Sequence, residues 1–242
     1  MYIDFSGLFH LSSKDRMAQG RVKIQLDQSQ WPSEWKVIEY KDYPRFEKLA
    51  LPVQHHEADL FRTMENRISR RDFIRRPLPK SEISALLKFS CGSMQKGSVP
   101  HRAQPSGGAR YPIEAYALVF APSDVPAGVY HYNIKEHALD VLWTREFTRE
   151  DVATLFTYPW AKNASMALIF SGVFRRNQIK YGERGYRQIL IETGAIVQNA
   201  YLVAQALNMQ CCAIDGVREA EIEQLLDIDG ISESVICSMV FG

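Results

Sequence analysis

The 242-residue sequence predicts an α+β fold on three observations. Apolar stretches with helical spacing and apolar stretches with strand-like character share one chain. They follow each other without the regular βαβ alternation of a parallel sheet. One segment, GYRQILIETGAIVQNAYLVAQALNM, repeats apolar residues at i, i+3, i+4 and i+7 over about six turns, which predicts a long central buried helix. Within it Glu192, Gln198 and Asn199 are polar and need partners wherever the helix is buried.

The elements can be taken in order. Residues 1–55 are irregular and rich in aromatics and prolines, as in WPSEWKVIEYKDYPRFEKLALP. Trp31, Trp35, Tyr40, Tyr43 and Phe46 would be costly to leave in water, so this stretch is expected to be an arm packed on the body or on a second subunit. Residues 56–242 form the expected folded domain. Leu60, Phe61, Met64 and Ile68 recur at helical spacing, and Ile83, Leu86 and Leu87 share a face of a second helix that Gly92 ends. YALVFA and GVYHYNIKEHALDVLW read as strands, the latter a hairpin turning near Lys135–Glu136. Thr148 is a candidate N-cap for the helix in TREDVATLF. The strand MALIFSGVF, the long helix, the helix EAEIEQLLDI and the strand SVICSMVFG complete the chain.

Composition excludes several function classes. With 29 basic against 28 acidic residues the net charge is +1, too balanced for general nucleic-acid binding. No apolar run reaches the length of a membrane span. The N-terminus lacks a basic n-region, and the four cysteines show no CxxC spacing, so a reduced, cytoplasmic protein is expected. There is no GxxxxGK[ST], no GxGxxG after a strand, no HExxH and no GxSxG, and the histidines lack ligand spacing, so no metal site is expected.

Three short motifs remain. In NRISRRDF, Arg67, Ser69 and Arg71 alternate, so an extended backbone points all three the same way. Two guanidinium forks and a hydroxyl suit a phosphate monoester, although an exposed charged helix end would read the same. In QPSGGARYP, Gly107 and Gly108 let backbone approach a flat ligand and Ser106 offers a hydroxyl, though the spacing alone fits any tight loop. In AIDGV, residues 213–217, a turn could aim backbone N–H groups at a ligand.

Together RxSxR, PSGGARYPIEAY, GVYHYNIKEHAL, KYGERGYR, ETGAIVQNAYLVAQAL and the terminal VFG resemble the nitroreductase-type flavoproteins. Within these the sequence is similar to the azoline dehydrogenases of the microcin and streptolysin S type, and the resemblance spans nearly the whole chain, FHLSSKD and the arm included. The resemblance implies a mixed, mostly antiparallel sheet flanked by helices, in an obligate homodimer with FMN at each subunit interface. It implies that Arg67, Ser69 and Arg71 hold the phosphate, and that Pro105, Ser106, Gly107 and Gly108 line one side of the flavin. Gln198, Asp215 and Gly216 would lie near the ring. Many nitroreductases carry a basic residue after the final strand; here Gly242 ends the sequence, which puts extra weight on Arg67 and Arg71. Some relatives have histidine where this sequence has Ala195, so no catalytic histidine is inferred there.

In such dehydrogenases a Lys-Tyr pair is catalytic, and it matches Lys180 and Tyr181. A free tyrosine, with pKa about 10, is a poor base near neutrality, and a neighbouring cation would lower that value. Lys180, Arg184 or Arg187 could supply the cation, so which group takes the proton stays open. The resemblance further implies a precursor-peptide substrate and a cyclodehydratase partner. A general NAD(P)H nitro/quinone reductase, and a scaffold that has lost flavin, are the competing expectations.

Overall fold

A seven-stranded sheet separates two apolar cores. The computed structural model describes residues 5–14, 27–96 and 99–242. Its strands are β1 (Lys48–Ala50), β2 (Ser93–Lys96), β3 (Val99–Arg102), β4 (Ile113–Val119), β5 (Gly128–Asn133), β6 (Ala138–Thr144), β7 (Met166–Val173), β8 (Cys211–Ile214) and β9 (Glu233–Phe241). The helices are α1 (Phe5–Ser12), α2 (Ser33–Lys36), α3 (Leu60–Asn66), α4 (Lys80–Cys91), α5 (Arg149–Leu155), α6 (Phe174–Tyr181), α7 (Arg184–Ala206) and α8 (Glu219–Leu226). Strand order is β1-β6-β5-β4-β7-β9-β8, every pairing is antiparallel, and β2–β3 form a separate ribbon.

The central strands are covered on both faces, which is why MALIFSGV reads as one continuous apolar run. On one face α4 and α7 pack Ile83, Leu86, Leu87, Ile189, Ile196 and Ala200 against Ala115, Ala117, Leu168 and Phe170. On the other, α5 and α8 bring Val152, Leu155, Ile222 and Leu226 to Leu118, Phe120, Ala167 and Ile169. No helix among the described residues is long and apolar enough to cross a membrane.

Local signals explain the joints. Thr148 and Asp151 form a reciprocal capping box at the start of α5. Gly92 stops α4 through close quarters: a Cβ there would sit 2.6 Å from the Lys88 carbonyl oxygen. Gly182, at φ 55°, breaks the backbone between α6 and α7. Helix α6 is thus a separate element, and it carries Lys180 and Tyr181.

One expectation needs correction. Helix α7 is not buried around its circumference: Ile189, Thr193, Ile196 and Ala204 are buried, while Leu190 is 42% and Ile191 73% exposed. The periodicity measured the apolar content, not how much of it one chain can cover. On α3 the helical repeat is likewise outward, with Leu60, Phe61, Met64 and Ile68 all exposed. The described part of the arm contacts the body. Strand β1 pairs with β6 at the sheet edge, and Lys41 Nζ bonds Glu233 Oε2 and Tyr116 Oη, both at 2.6 Å.

Candidate active site

The candidate residues gather at the two ends of α7. At its C-terminal end the extended segment after α3 runs beside β8, where the Arg70 amide donates to the Cys211 carbonyl at 2.9 Å. Tyr201 is the hub. Its Oη accepts from the Ala213 amide at 2.8 Å, which leaves its own proton for Ser69 Oγ, 2.9 Å away. The Arg67 guanidinium lies 5.2 Å from the Tyr201 ring centroid. Burial pushes the Tyr201 phenol above its ordinary pKa, so it stays a neutral hydrogen-bonding group. Arg71 lies on Trp160 at 5.9 Å, and Trp160 stacks on Tyr158.

Tyr158 in turn abuts Gly216, where any Cβ would strike Thr157 Oγ1 and the Tyr158 ring. The Gly216 carbonyl accepts from both the Thr157 amide and its hydroxyl, at 2.8 and 2.9 Å. Val217 N–H donates to the Asp215 carbonyl at 2.9 Å, closing a tight turn that leaves the Asp215 side chain exposed. RxSxR and AIDGV, separated by some 140 residues of sequence, thus meet through Tyr201 and the Tyr158–Trp160 stack. Arg67 and Ser69 share one partner, whereas Arg71 leans to another; the side chains diverge although the backbone alternates. Neither arginine has a carboxylate partner among the described residues, and both rest on ring faces. That donor set fits an anionic group such as a phosphate.

At the other end of α7, the PSGG loop closes over α6. Gly108 has φ 65°, and a Cβ on it would collide with Tyr181 Oη and lie 3.2 Å from Lys180 Nζ. A Cβ on Gly107 would lie 2.8 Å from Gln188 Oε1 on α7. Ser106 Oγ accepts from the Tyr111 amide at 2.8 Å, and Pro105 is exposed at the rim. Ala109 and Tyr111 also take positive φ, at 53° and 48°, a strained arrangement of the kind that clusters at functional sites.

Lys180 is only 2% exposed. Burial, then the charge of Arg110, pushes its pKa below that of an ordinary lysine. Tyr181 moves the other way: burial raises its pKa, and Arg110 only partly opposes this. Arg110 is the cation that opposes burial at the phenol, and Lys180 Nζ also lies 5.4 Å from the Tyr181 ring centroid. Arg110 Nε donates to the Arg176 carbonyl at 2.7 Å. Arg176 pairs with Glu114, and Glu114 Oε2 accepts from His131 Nε2 at 3.0 Å. Burial alone would raise the Glu114 pKa, but Arg176 and His131 hold it down at about 2.

Gln198 is exposed on the outer stripe of α7, one turn before Tyr201 and one turn after Gly194, whose missing side chain faces open space. Of the other polar residues of α7, Glu192 accepts from Gln104 Nε2 at 3.1 Å and Asn199 donates to the Ser90 carbonyl at 3.2 Å. From Gln188 to Tyr201 the helix rises about 20 Å, so one chain holds two half-sites rather than a single pocket. Tyr201, Arg110, Arg176 and Trp31 were missed as site residues. Tyr201 counted as one more apolar position in the helix, and the arginines had no spacing that set them apart.

This fold is that of an oxidoreductase family, and the chain belongs to it: it matches the Nitroreductase family over residues 64–242. It is 28% identical over 172 residues to a putative nitroreductase of Methanocaldococcus jannaschii, covering 71% of this chain and 86% of that protein. It is 30% identical over 175 residues to the microcin B17-processing protein McbC of Escherichia coli, covering 66% of this chain but only 60% of that one. The E. coli microcin synthetase McbBCD complex with truncated pro-MccB17 bound contains a chain with the same fold, at TM-score 0.64 and 24% identity, over 98% of this chain and 91% of that one. A putative nitroreductase in complex with FMN from Desulfovibrio desulfuricans aligns at TM-score 0.52 and 16% identity, over 77% and 86% of the two chains.

Proposed function

We propose that the protein is an FMN-dependent dehydrogenase that oxidises thiazolines or oxazolines in a ribosomally made peptide to the aromatic azoles. The observation that carries this reading is the buried Lys180 held beside Tyr181 under Gly108. The similarity to McbC points to the same chemistry. FMN is supported by the donor set of Arg67, Ser69 and Arg71 and by the FMN complex of a protein with this fold. Bound FMN would supply the hydride acceptor.

The chain's own residues would do the rest. Azoline oxidation also removes a proton, and Lys180, whose pKa burial lowers, would be the group that accepts it. Tyr181, kept protonated by burial, would donate a hydrogen bond and orient the ring. Pro105, Ser106, Gly107 and Gly108 would give a backbone wall that a flat ring can approach. Asp215 and Gly216 would shape the opposite half-site, with Gln198 between them.

A homodimer with flavin at the interface is supported by the two half-sites and by the exposed Leu60, Phe61, Met64, Ile68, Leu190 and Ile191, which a second copy would bury. On this reading residues 1–55 are an arm and residues 56–242 the flavin domain. The McbBCD complex makes a cyclodehydratase partner and a precursor peptide the expected company. The free cysteines suit the reducing cytoplasm.

The test is a thiazoline-bearing peptide incubated with FMN-loaded protein and followed by mass for loss of two hydrogens. Wild type should oxidise it; Lys180→Ala and Tyr181→Phe should lose about 10²–10⁴ in rate and remain yellow. The family match also suits a general NAD(P)H nitro/quinone reductase. Rapid flavin bleaching by NADPH without azoline oxidation would select that alternative.

A further inference from the structure

Four buried cations line a trough beside the PSGG loop, and in each case the arm meets them. Lys180 Nζ lies 3.2 Å from the Trp31 ring centroid and 5.7 Å from that of Trp35. Arg110 Nη1 donates to the backbone carbonyls of Trp35 and Val37 at 3.0 and 2.8 Å. Arg176 Nε is 3.7 Å from Glu39 Oε2. Arg102 stacks on Tyr111 at 4.6 Å and on Tyr40 at 5.4 Å. All three Arg102 nitrogens are buried without a hydrogen-bond partner among the described residues.

The trough and its cover are built unequally. Arg102, Arg110, Arg176 and Lys180 are each at most 4% exposed, yet no residue from 27 to 40 is buried. The arm is fastened on both sides of this stretch: from Lys41 onward by the Lys41–Glu233 pair, the Asp42–Lys48 pair and the β1–β6 pairing, and before it by Phe9 against Tyr186 and His10 against Arg187. No sheet strand lies within residues 27–40, so none of the sheet's pairings depends on them.

We propose that this trough seats the substrate peptide and that residues 27–40 fill it in the resting protein. The inference rests on the azoline-oxidising reading above. What the arm presents is what a modified peptide presents. The Trp31 ring stands for a flat heterocycle over Lys180, the carbonyls of Trp35 and Val37 stand for a peptide backbone at Arg110, and Glu39 stands for an acidic side chain at Arg176. The ligand class is an extended peptide that carries a planar five-membered ring, with an acidic residue several positions to its C-terminal side. Because arm and peptide offer like groups, binding is an exchange, and the apparent affinity is reduced by the fraction of protein whose trough is open.

The test uses FMN-loaded full-length protein and a synthetic peptide carrying one thiazole, the non-turnover product, with affinity read by calorimetry. Trp31→Ala/Trp35→Ala empties the ring seat and should bind this peptide at least about tenfold tighter than wild type. Adding Arg110→Gln to that variant should remove most of the gain. Far-UV dichroism and retained FMN certify that each variant is folded. Equal affinity in wild type and the double variant, including no binding in either, overturns the proposal. Its failure is separable from that of the azoline reading. A double variant that binds the thiazole peptide more tightly but never oxidises the thiazoline form keeps the trough and sinks the reaction. One that oxidises the thiazoline with unchanged peptide affinity does the reverse.

Discussion

The two ends of α7 carry cations handled in opposite ways. At the C-terminal end Arg67 and Arg71 are partly exposed, rest on aromatic faces and keep their forks free. At the N-terminal end Lys180, Arg110 and Arg176 are buried, and the Glu114–His131–Asp140 chain compensates the charge of Arg176. An exposed guanidinium keeps its full charge and can exchange water for an anion, which suits a holding role. A buried lysine near another cation loses part of its hold on a proton, which suits a chemical role. On the proposed reading the same residue class would serve grip at one end and proton transfer at the other, and burial makes the difference.

The largest expected effect lies under the buried end. Glu114→Gln strips Arg176 of its charge partner and should cost about 3–5 kcal/mol. For a chain of this size that lowers Tm by roughly 6–20 °C in a calorimetric scan. A loss as small as that of a surface substitution would break the contrast between the ends.

Next comes the exposed end. Arg67→Ala should weaken FMN binding about 10–100-fold, the worth of a charge-assisted hydrogen bond, as read by flavin fluorescence quenching. It should leave Tm nearly unchanged. Unaltered FMN affinity would remove the phosphate from this half-site. Tyr201→Phe acts more mildly, because the ring under Arg67 stays and only the hydroxyl linking Ser69 to Ala213 goes. About 1 kcal/mol of stability should be lost, and FMN affinity should fall less than for Arg67→Ala.

The smallest effect is a pH dependence of the buried chain. Burial works against the His131 cation, but its bonds to Asp140 and Glu114 raise its pKa overall above the ordinary 6.5. Its contribution is then fully present below pH 6.5 and fades as pH rises through the folded value. Glu114, held at about 2 against an ordinary 4.5, contributes above pH 4.5 and fades as pH falls towards 2. Tm should therefore peak between these limits, and His131→Asn should flatten the alkaline side. An unchanged alkaline slope in that variant would show that His131 is neutral in the folded protein.

Legibility differed by kind of feature. Helix α5 with its Thr148 cap, the β5–β6 hairpin and the full length of α7 could be read because each is encoded locally. The motif residues could also be picked out, since RxSxR and PSGG are short and chemically unusual. The ribbon β2–β3, strand β1 and the separate helix α6 could not, because partners distant in sequence or one glycine torsion create them. Tyr201 was hidden by its own pattern: an amphipathic residue at an apolar position looks like core until its hydroxyl is seen between Ser69 and Ala213.

By itself the sequence determined the locally encoded elements, the α+β class and the motif set that places the chain in its family, because periodicity and turn chemistry act over a few residues. Only the tertiary structure decided that RxSxR meets AIDGV while PSGG meets Lys180 and Tyr181, and that these pairs lie at opposite ends of one helix. It also decided that Trp31 covers Lys180, and that α3 and part of α7 turn apolar faces outward. Periodicity states which residues avoid water. What covers them depends on the strand order and crossovers that bring distant segments together.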